Sequence, residues 1–436
     1  MRHAIVFLLL IFSIPVSAQT DWSIPEVIYD TEETSYATCF SPQIATGVNG
    51  KLALAWHVQH GEDQRTSFTF GRKEIRYISD TLASYSSDGG MNWTSPDLMS
   101  DPRVRSSQVT VSDGGVQDEF LFSWTSGDSI SGFRHHTAQT SNLGDSYTSS
   151  VLHQRYMDPD VGYFYPRIER VGPYEIMVYE AFWANGDTHD IAAGVAARPI
   201  GADQWTTASM IHSDAIPNTR TIVRSTQPMA ISENVVMVPL SLTNASNQQT
   251  PKRAALYISR DYGQSWELQL IPPMPGASNN YTGQIVTDKK GSWHVFWRAG
   301  DPVAGVFPIY SQTSTDEGRN WTSPTVVFSA FSQNISTVCT DGNGRWILSM
   351  QSDPESATGK GRYVWSDDNG VTWSDRIELP EILSGYNYDA IAYVGNGRWV
   401  WVWADNRDRF LNDEFAKIKM STLVWGQSLV DEWSIY

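Results

Sequence analysis

The chain has 436 residues, with 48 acidic and 31 basic side chains and a formal net charge of −17, a balance that disfavours partners bound through phosphates, nucleic acid above all. Two cysteines, Cys39 and Cys339, are too few for a disulfide scaffold, and both are expected in inner-strand cores rather than in a bridge. Aromatic residues make up 12%, with 18 tryptophans, which favours strands and stacking surfaces over helical bundles.

Residues 1–18 read as a secretory signal peptide: a basic start, an apolar run from Ala4 to Val16, and the small-residue cleavage site Val16-Ser17-Ala18. The run is too short to span a bilayer, and no later segment is apolar enough to do so. Residues 19–436 are therefore expected as one soluble domain, secreted or periplasmic. They open with DWSIPEVIYD, which resembles the segment after a later turn, NWTSPDLMSD.

Two patterns then alternate along the chain. The first is a β-hairpin: a short alternating strand, a polar or Gly turn and a more apolar strand. It is read at 41–56, 106–124, 165–180, 225–242, 281–298, 334–350 and 388–403. The second is a turn of the form Ser-x-Asp-x-Gly-x-x-Trp. It occurs at Ser86/Asp88/Gly90/Trp93, Ser259/Asp261/Gly263/Trp266, Ser314/Asp316/Gly318/Trp321 and Ser366/Asp368/Gly370/Trp373. A short polar side chain can hold nearby backbone N–H groups, Gly supplies a positive φ, and Trp plugs between sheets. Worn copies lie at 140–150, with Asn142 and Tyr147, and around Trp205, and MSTLVW ends at Trp425.

From Trp22 through Trp93, Tyr147, Trp205, Trp266, Trp321 and Trp373 to Trp425 the steps are 71, 54, 58, 61, 55, 52 and 52 residues. Seven intervals and seven hairpins predict an all-β, seven-bladed β-propeller of four-stranded blades. The N-terminal segment is expected to supply the outer strand of the last blade. A pair of β-sandwiches has no reason to keep so regular a period.

The four complete turns resemble the Asp-box, or BNR repeat, of the sialidase superfamily, and the resemblance covers most of residues 19–436. It implies a propeller, six-bladed in true sialidases, with the Asp-boxes on the face away from the active site. It also implies a triad of arginines for the sugar carboxylate, a Tyr–Glu nucleophile pair and an Asp acid/base. WHVFWRAG places Arg298 as the second arginine and GKGRYVWSDDNG places Arg362 as the third. GYNYDAIAYVGNG resembles the nucleophile segment, with Tyr388 or Tyr386 in that role and Asp389 beside them. Two parts have no match: TCFSPQI lacks the first arginine, and NNYTGQI has Tyr281 and Thr282 where the glutamate belongs.

In a propeller, the residues that lead into first strands and out of second strands share one face. Candidate substrate-binding residues there are Tyr163, Tyr165, Arg167, Arg224 and Tyr281, with His57, His135, His136 and Glu180. Arginines can hold a carboxylate bidentately, Tyr beside a carboxylate can act as a nucleophile, and aromatic faces suit sugar rings. The leading expectation is a sialidase-like glycoside hydrolase acting on an acidic oligo- or polysaccharide. Seven-bladed relatives also include lyases that cleave uronic-acid polysaccharides such as ulvan by β-elimination. His135, His136, Tyr163, Tyr165 and Arg167 could serve that chemistry. A non-catalytic glycan-binding propeller is the third reading, for which the missing glutamate argues.

No HExxH, CxxC, P-loop or GxSxG pattern is present, so no cofactor is expected, although Asp-rich loops leave room for a structural Ca²⁺. A monomer is expected. Sequons stand at Asn92, Asn244, Asn280, Asn320 and Asn334, two of them inside Asp-boxes.

Overall fold

The computed structural model describes residues 22–31, 36–69, 72–100, 106–128, 132–144, 146–152, 161–185, 188–202, 205, 209–211, 219–222, 230–244, 253–272, 279–300, 307–329, 335–350, 360–382, 389–405 and 417–425. The signal-peptide reading of residues 1–18 lies outside them.

The strands form seven antiparallel sheets, the blades of a β-propeller. Blade 1 comprises Tyr36–Thr46, Leu52–Thr69, Arg72–Ser86 and Asp97–Leu98. Blade 2 comprises Ser106–Asp113, Phe120–Asp128, Gly132–Ser141 and Ser146–Leu152, and blade 3 comprises Val161–Val171, Tyr174–Asn185, Thr188–Pro199 and Ser209–Ile211. In blade 4 the first strand is in two pieces, Thr219–Ile222 and Ala230–Ser232, followed by Val235–Asn244, Arg253–Ser259 and Glu267–Leu270. Blade 5 comprises Asn279–Thr287, Trp293–Gly300, Ile309–Ser314 and Thr325–Phe328, and blade 6 comprises Ile335–Thr340, Trp346–Met350, Lys360–Ser366 and Ile377–Ile382. Blade 7 comprises Asp389–Gly395, Arg398–Asp405 and Lys417–Val424, and its outer strand is Glu26–Asp30 from the start of the chain.

All seven hairpins read from the sequence are therefore present. One boundary changes. The hairpin read at 225–242 has a first strand whose described parts pair at Ile222↔Ser241 and at Ala230↔Met237; residues 223–229 lie outside the described residues.

The second strands are buried on both faces because each blade is clamped between two others. RWVWVWAD of blade 7 shows why they read as apolar runs. Trp399, Trp401 and Trp403 pack into the seam with blade 6, while Val400, Val402 and Ala404 pack into the seam with blade 1. The large side chains fill one seam and the small ones the other. Cys39 and Cys339 stand on first strands and are free thiols. Burial pushes the Cys339 thiol up to about 12 and holds Cys39 neutral as well.

The Asp-boxes show how the turn locks. In blade 4, Ser259 Oγ accepts from Gly263 N–H at 2.8 Å and donates to Asp261 Oδ1 at 2.8 Å. Asp261 then accepts from the backbone N–H and hydroxyl of Ser265 at 2.8 and 2.6 Å. Trp266 donates its indole N–H to Gly263 O at 3.0 Å and packs into the seam between blades 3 and 4. Boxes at Ser86, Ser314 and Ser366 repeat the Ser–Gly and Ser–Asp bonds. The worn copy keeps one of them, Gly144 N–H to Thr140 Oγ1 at 2.8 Å. Asn92 and Asn320 spend their amide groups on Asp88 and Asp316, at 2.7 and 2.6 Å, inside the boxes. The Ser and Asp side chains of the motif thus bond within the turn itself, which makes the box a structural clamp.

Candidate active site

First strands lie against one another around the axis, and polar side chains tie one to the next. Thr110 Oγ1 and Ser123 Oγ of blade 2 both donate to Pro166 O of blade 3 at 3.0 Å. Gln284 of blade 5 donates to Ser336 O of blade 6 at 3.1 Å, and Ser336 Oγ donates to Asp389 of blade 7. Strand direction puts the second-to-third and fourth-to-first connections at one end of this ring, and the Asp-boxes at the other. The first end is the candidate active-site face.

Asp389 starts the first strand of blade 7. Its carboxylate is buried, accepting from Ser336 Oγ, from Ser349, and from the Trp401 indole at 2.7 Å. Burial raises its pKa against the pull of those donors. The group expected to act in catalysis instead fixes the backbone onto which Tyr386 and Tyr388 lead. Those two tyrosines and Arg224 lie outside the described residues.

Arg298 lies two residues before the end of the second strand of blade 5, half-buried, in register with Tyr281, and its guanidinium sits 5.4 Å from the centre of the Phe307 ring. Arg362, expected as the third arginine, stands elsewhere. It lies on the third strand of blade 6, between Met350 and the outer strand, and its Nε reaches Glu378 Oε1 at 3.3 Å. Arg362 is thus engaged by Glu378 on the outer side of its blade.

Arg167 lies on the first strand of blade 3 and is closed on Glu169, with Nε at 3.1 Å and Nη2 at 2.8 Å from Oε1. Burial still raises the Glu169 pKa, against Arg167 and Lys289. His57, expected to meet substrate, is buried in the seam between blades 1 and 2. Its Nε2 accepts the Val109 N–H at 2.5 Å, which leaves the proton on Nδ1, 3.2 Å from Thr81 Oγ1. Burial lowers its pKa to about 3, so it is a neutral tie between blades. His136 stacks on Trp124, centroids 5.2 Å apart, and bonds to Ser126.

Tyr163, Glu180, Tyr281 and His135 have strand positions, opposite Ala181, Phe164, Arg298 and Thr125, and Tyr165 lies in the bulge between Phe164 and Arg167. Their side chains lie outside the described residues. The cross-seam ties went unread in the sequence, although a signal exists. Their partners are 52, 56, 52 and 53 residues apart, one blade period each. Among the described residues, no three His, Cys, Asp or Glu side chains converge as a metal-binding set, and no helix is long and apolar enough to cross a membrane.

The BNR repeat-like domain family matches residues 201–400. The chain is a seven-bladed β-propeller with Asp-box turns, and the matched repeats lie in its blades. No curated protein matches it by sequence. A protein of unknown function from Dyadobacter fermentans superposes with a TM-score of 0.54 at 13% identity, over 93% of this chain and 99% of that one. The GH93 α-L-arabinofuranosidase of Fusarium graminearum, solved with arabinobiose, superposes with a TM-score of 0.51 at 11% identity, over 92% and 98%. At these identities the likeness concerns the fold, which is one that glycosidases use.

Proposed function

We propose that this propeller is an exported, sialidase-like glycoside hydrolase acting on an acidic glycan at the face opposite the Asp-boxes. One observation carries the reading. Arg298, near the end of the blade 5 second strand, and the start of the blade 7 first strand, pinned by Asp389, belong to the same face. Arg298 would hold the sugar carboxylate, backed by Phe307. Tyr388, or Tyr386 beside it, would attack the anomeric carbon as the glycosidic bond breaks, its phenol proton passing to a neighbouring base and the departing oxygen taking a proton from an acid; water would then release the sugar from the tyrosine. A fold shared with an arabinofuranosidase along nearly its full length is consistent with sugar cleavage. Arg362 takes no part in this reading, and Arg167 and His136 are committed to Glu169 and Ser126, which leaves elimination less well served.

The test is digestion of sialosides, arabinan, ulvan and pectic glycans with two readouts. Reducing ends without new ultraviolet absorbance are expected. Absorbance from an unsaturated sugar would replace the hydrolase by a lyase, and binding without either signal would leave a glycan-binding propeller. Arg298→Ala is expected to cost roughly 1.5–3 kcal/mol in kcat/KM, as for loss of a charge-assisted hydrogen bond. Tyr388→Phe should abolish turnover and keep binding; unchanged rates in both Tyr388→Phe and Tyr386→Phe would sink the tyrosine assignment.

A further inference from the structure

The second and third strands of blade 1, Leu52–Thr69 and Arg72–Ser86, outrun the blade they belong to. Among the described residues the first strand accompanies them as far as Tyr36↔His60. Beyond a bulge between Gln59 and Gln64 they pair with each other, and among the described residues with no other strand, from Gln64↔Tyr77 to Thr69↔Arg72. At roughly 3.4 Å per residue the six pairs make a ribbon on the order of 20 Å long. It leaves the blade at the second-to-third connection, on the face that bears Arg298 and the start of blade 7.

The ribbon departs from the rest of the chain in charge. Positions 64–69 and 72–77 hold Arg65, Arg72, Lys73 and Arg76 against a single Glu74, a net +3 in a protein of −17, with Glu62 and Asp63 in the bulge at the base of the ribbon. The register sets Arg65 directly opposite Arg76 and Thr69 opposite Arg72. Strand alternation assigns these four positions to one face of the ribbon, with Ser67 and Glu74. Like charges directly opposite each other destabilise a strand pair, and a two-stranded ribbon is marginally stable by itself. An anion shared by the two guanidinium groups reverses that sign, and a carboxylate matches their planar geometry.

We propose that this ribbon is an anion-binding arm, in which the Arg65/Arg76 pair, with Arg72 farther along the ribbon, takes carboxylates of a glycan chain beyond the reacting sugar. The inference rests on the reading of this face as a glycan site. A single polyanionic chain suits it better than an acidic membrane. The remainder of the protein carries −20, which repels an extended anionic surface, whereas one chain at the tip of the ribbon, beyond Glu62 and Asp63, meets a local net positive charge.

The probe is polygalacturonate, titrated against the full-length protein by calorimetry at low and at raised salt, with neutral arabinan and phosphatidylglycerol vesicles in parallel. The expected result is binding to polygalacturonate that weakens with salt and falls about tenfold in Arg65→Gln/Arg76→Gln, as when one charge-assisted contact is lost. The thermal midpoint of that variant should hold or rise, since a like-charge pair is gone. Glu74→Gln, which adds net positive charge on the same face, should tighten binding and keeps the proposal testable if the double variant folds poorly. No binding to polygalacturonate, equal binding by the double variant, or arm-dependent binding to vesicles only would each overturn the proposal. Arm-dependent binding without hydrolysis of any glycan would remove the hydrolase reading and leave the arm standing. Hydrolysis with arm-independent binding would do the reverse.

Discussion

At the scale of single residues, the Asp-box glycine does two jobs. Gly263 has φ +78°, in the left-handed region, and a Cβ there would lie 2.4 Å from Cδ1 of Ile176 on the preceding blade. Gly201 has φ +81°, with nothing within 4 Å of such a Cβ. The pair separates backbone strain from seam contact. Gly201→Ala should cost about 1–2 kcal/mol from conformation alone. Gly263→Ala carries the same strain plus about 1–3 kcal/mol of overpacking against a fully buried isoleucine. Urea unfolding of the two variants measures the difference; equal losses would mean that the seam yields to the added methyl group. Gly144 and Gly318 repeat the contact, against Tyr85 and Met237 of their preceding blades. The motif is therefore kept by a demand between blades as well as by the turn itself.

At the scale of elements, closure of the ring depends on the first described segment. Glu26–Asp30 pairs with Lys417–Met420, and Trp22 lies edge-on to Trp401 at 5.2 Å and Tyr363 at 6.1 Å. Trp22→Ala should cost about 2 kcal/mol, below the roughly 3–5 kcal/mol of a fully buried tryptophan, because the ring is half-buried. Removing residues 22–30 should do more, exposing the edge of Lys417–Val424 to proteases and to self-association. Limited proteolysis with size-exclusion chromatography checks this; a truncated chain as resistant as the whole would show that closure lies elsewhere. Closure was legible in the sequence because DWSIPEVIYD repeats the composition of other outer strands. The hairpins and Asp-boxes were legible for the same reason, since their signals are local and recur. The site was much less so. His57, Arg362 and Asp389 look like ligand groups in a linear reading, yet their partners are Val109, Glu378 and Trp401, on other strands or another blade. A side chain's partner across a seam or a register is set by tertiary geometry, which a single stretch of sequence does not encode.

For the whole molecule, two of the seams contain neutral histidines, and this sets a dependence on pH. His57 joins blades 1 and 2. His294 lies between blades 5 and 6, against Trp346, with Nδ1 3.2 Å from Thr313 Oγ1 and under Gly370 of the blade 6 Asp-box. Burial lowers the His294 pKa to about 4, with Asp288 pulling weakly the other way. The unfolded chain takes up a proton at each histidine near the ordinary 6.5, the folded chain only at about 4 and about 3. Stability rises with pH wherever the unfolded state binds more protons. Both seams therefore lose stability as pH falls below about 6.5, the loss at His294 levelling near 4 and that at His57 near 3. The Asp-box carboxylates add a second, lower window. Asp316 is held at about 2 by the backbone and side-chain N–H groups of Asn320, so its contribution is lost between 3.8 and about 2. Glu169 and Asp389 act in the opposite sense: burial raises their pKa, so protonation on acidification favours the folded state. The histidine share is isolated by His294→Phe, which keeps a flat ring against Trp346 and removes the titrating group. Urea midpoints measured from neutral pH down to about 4 should fall less steeply in the variant than in the parent, whatever the offset at neutral pH. Parallel curves would mean that the blade 5–blade 6 seam accepts the proton without opening, and that acid unfolding begins at a different seam.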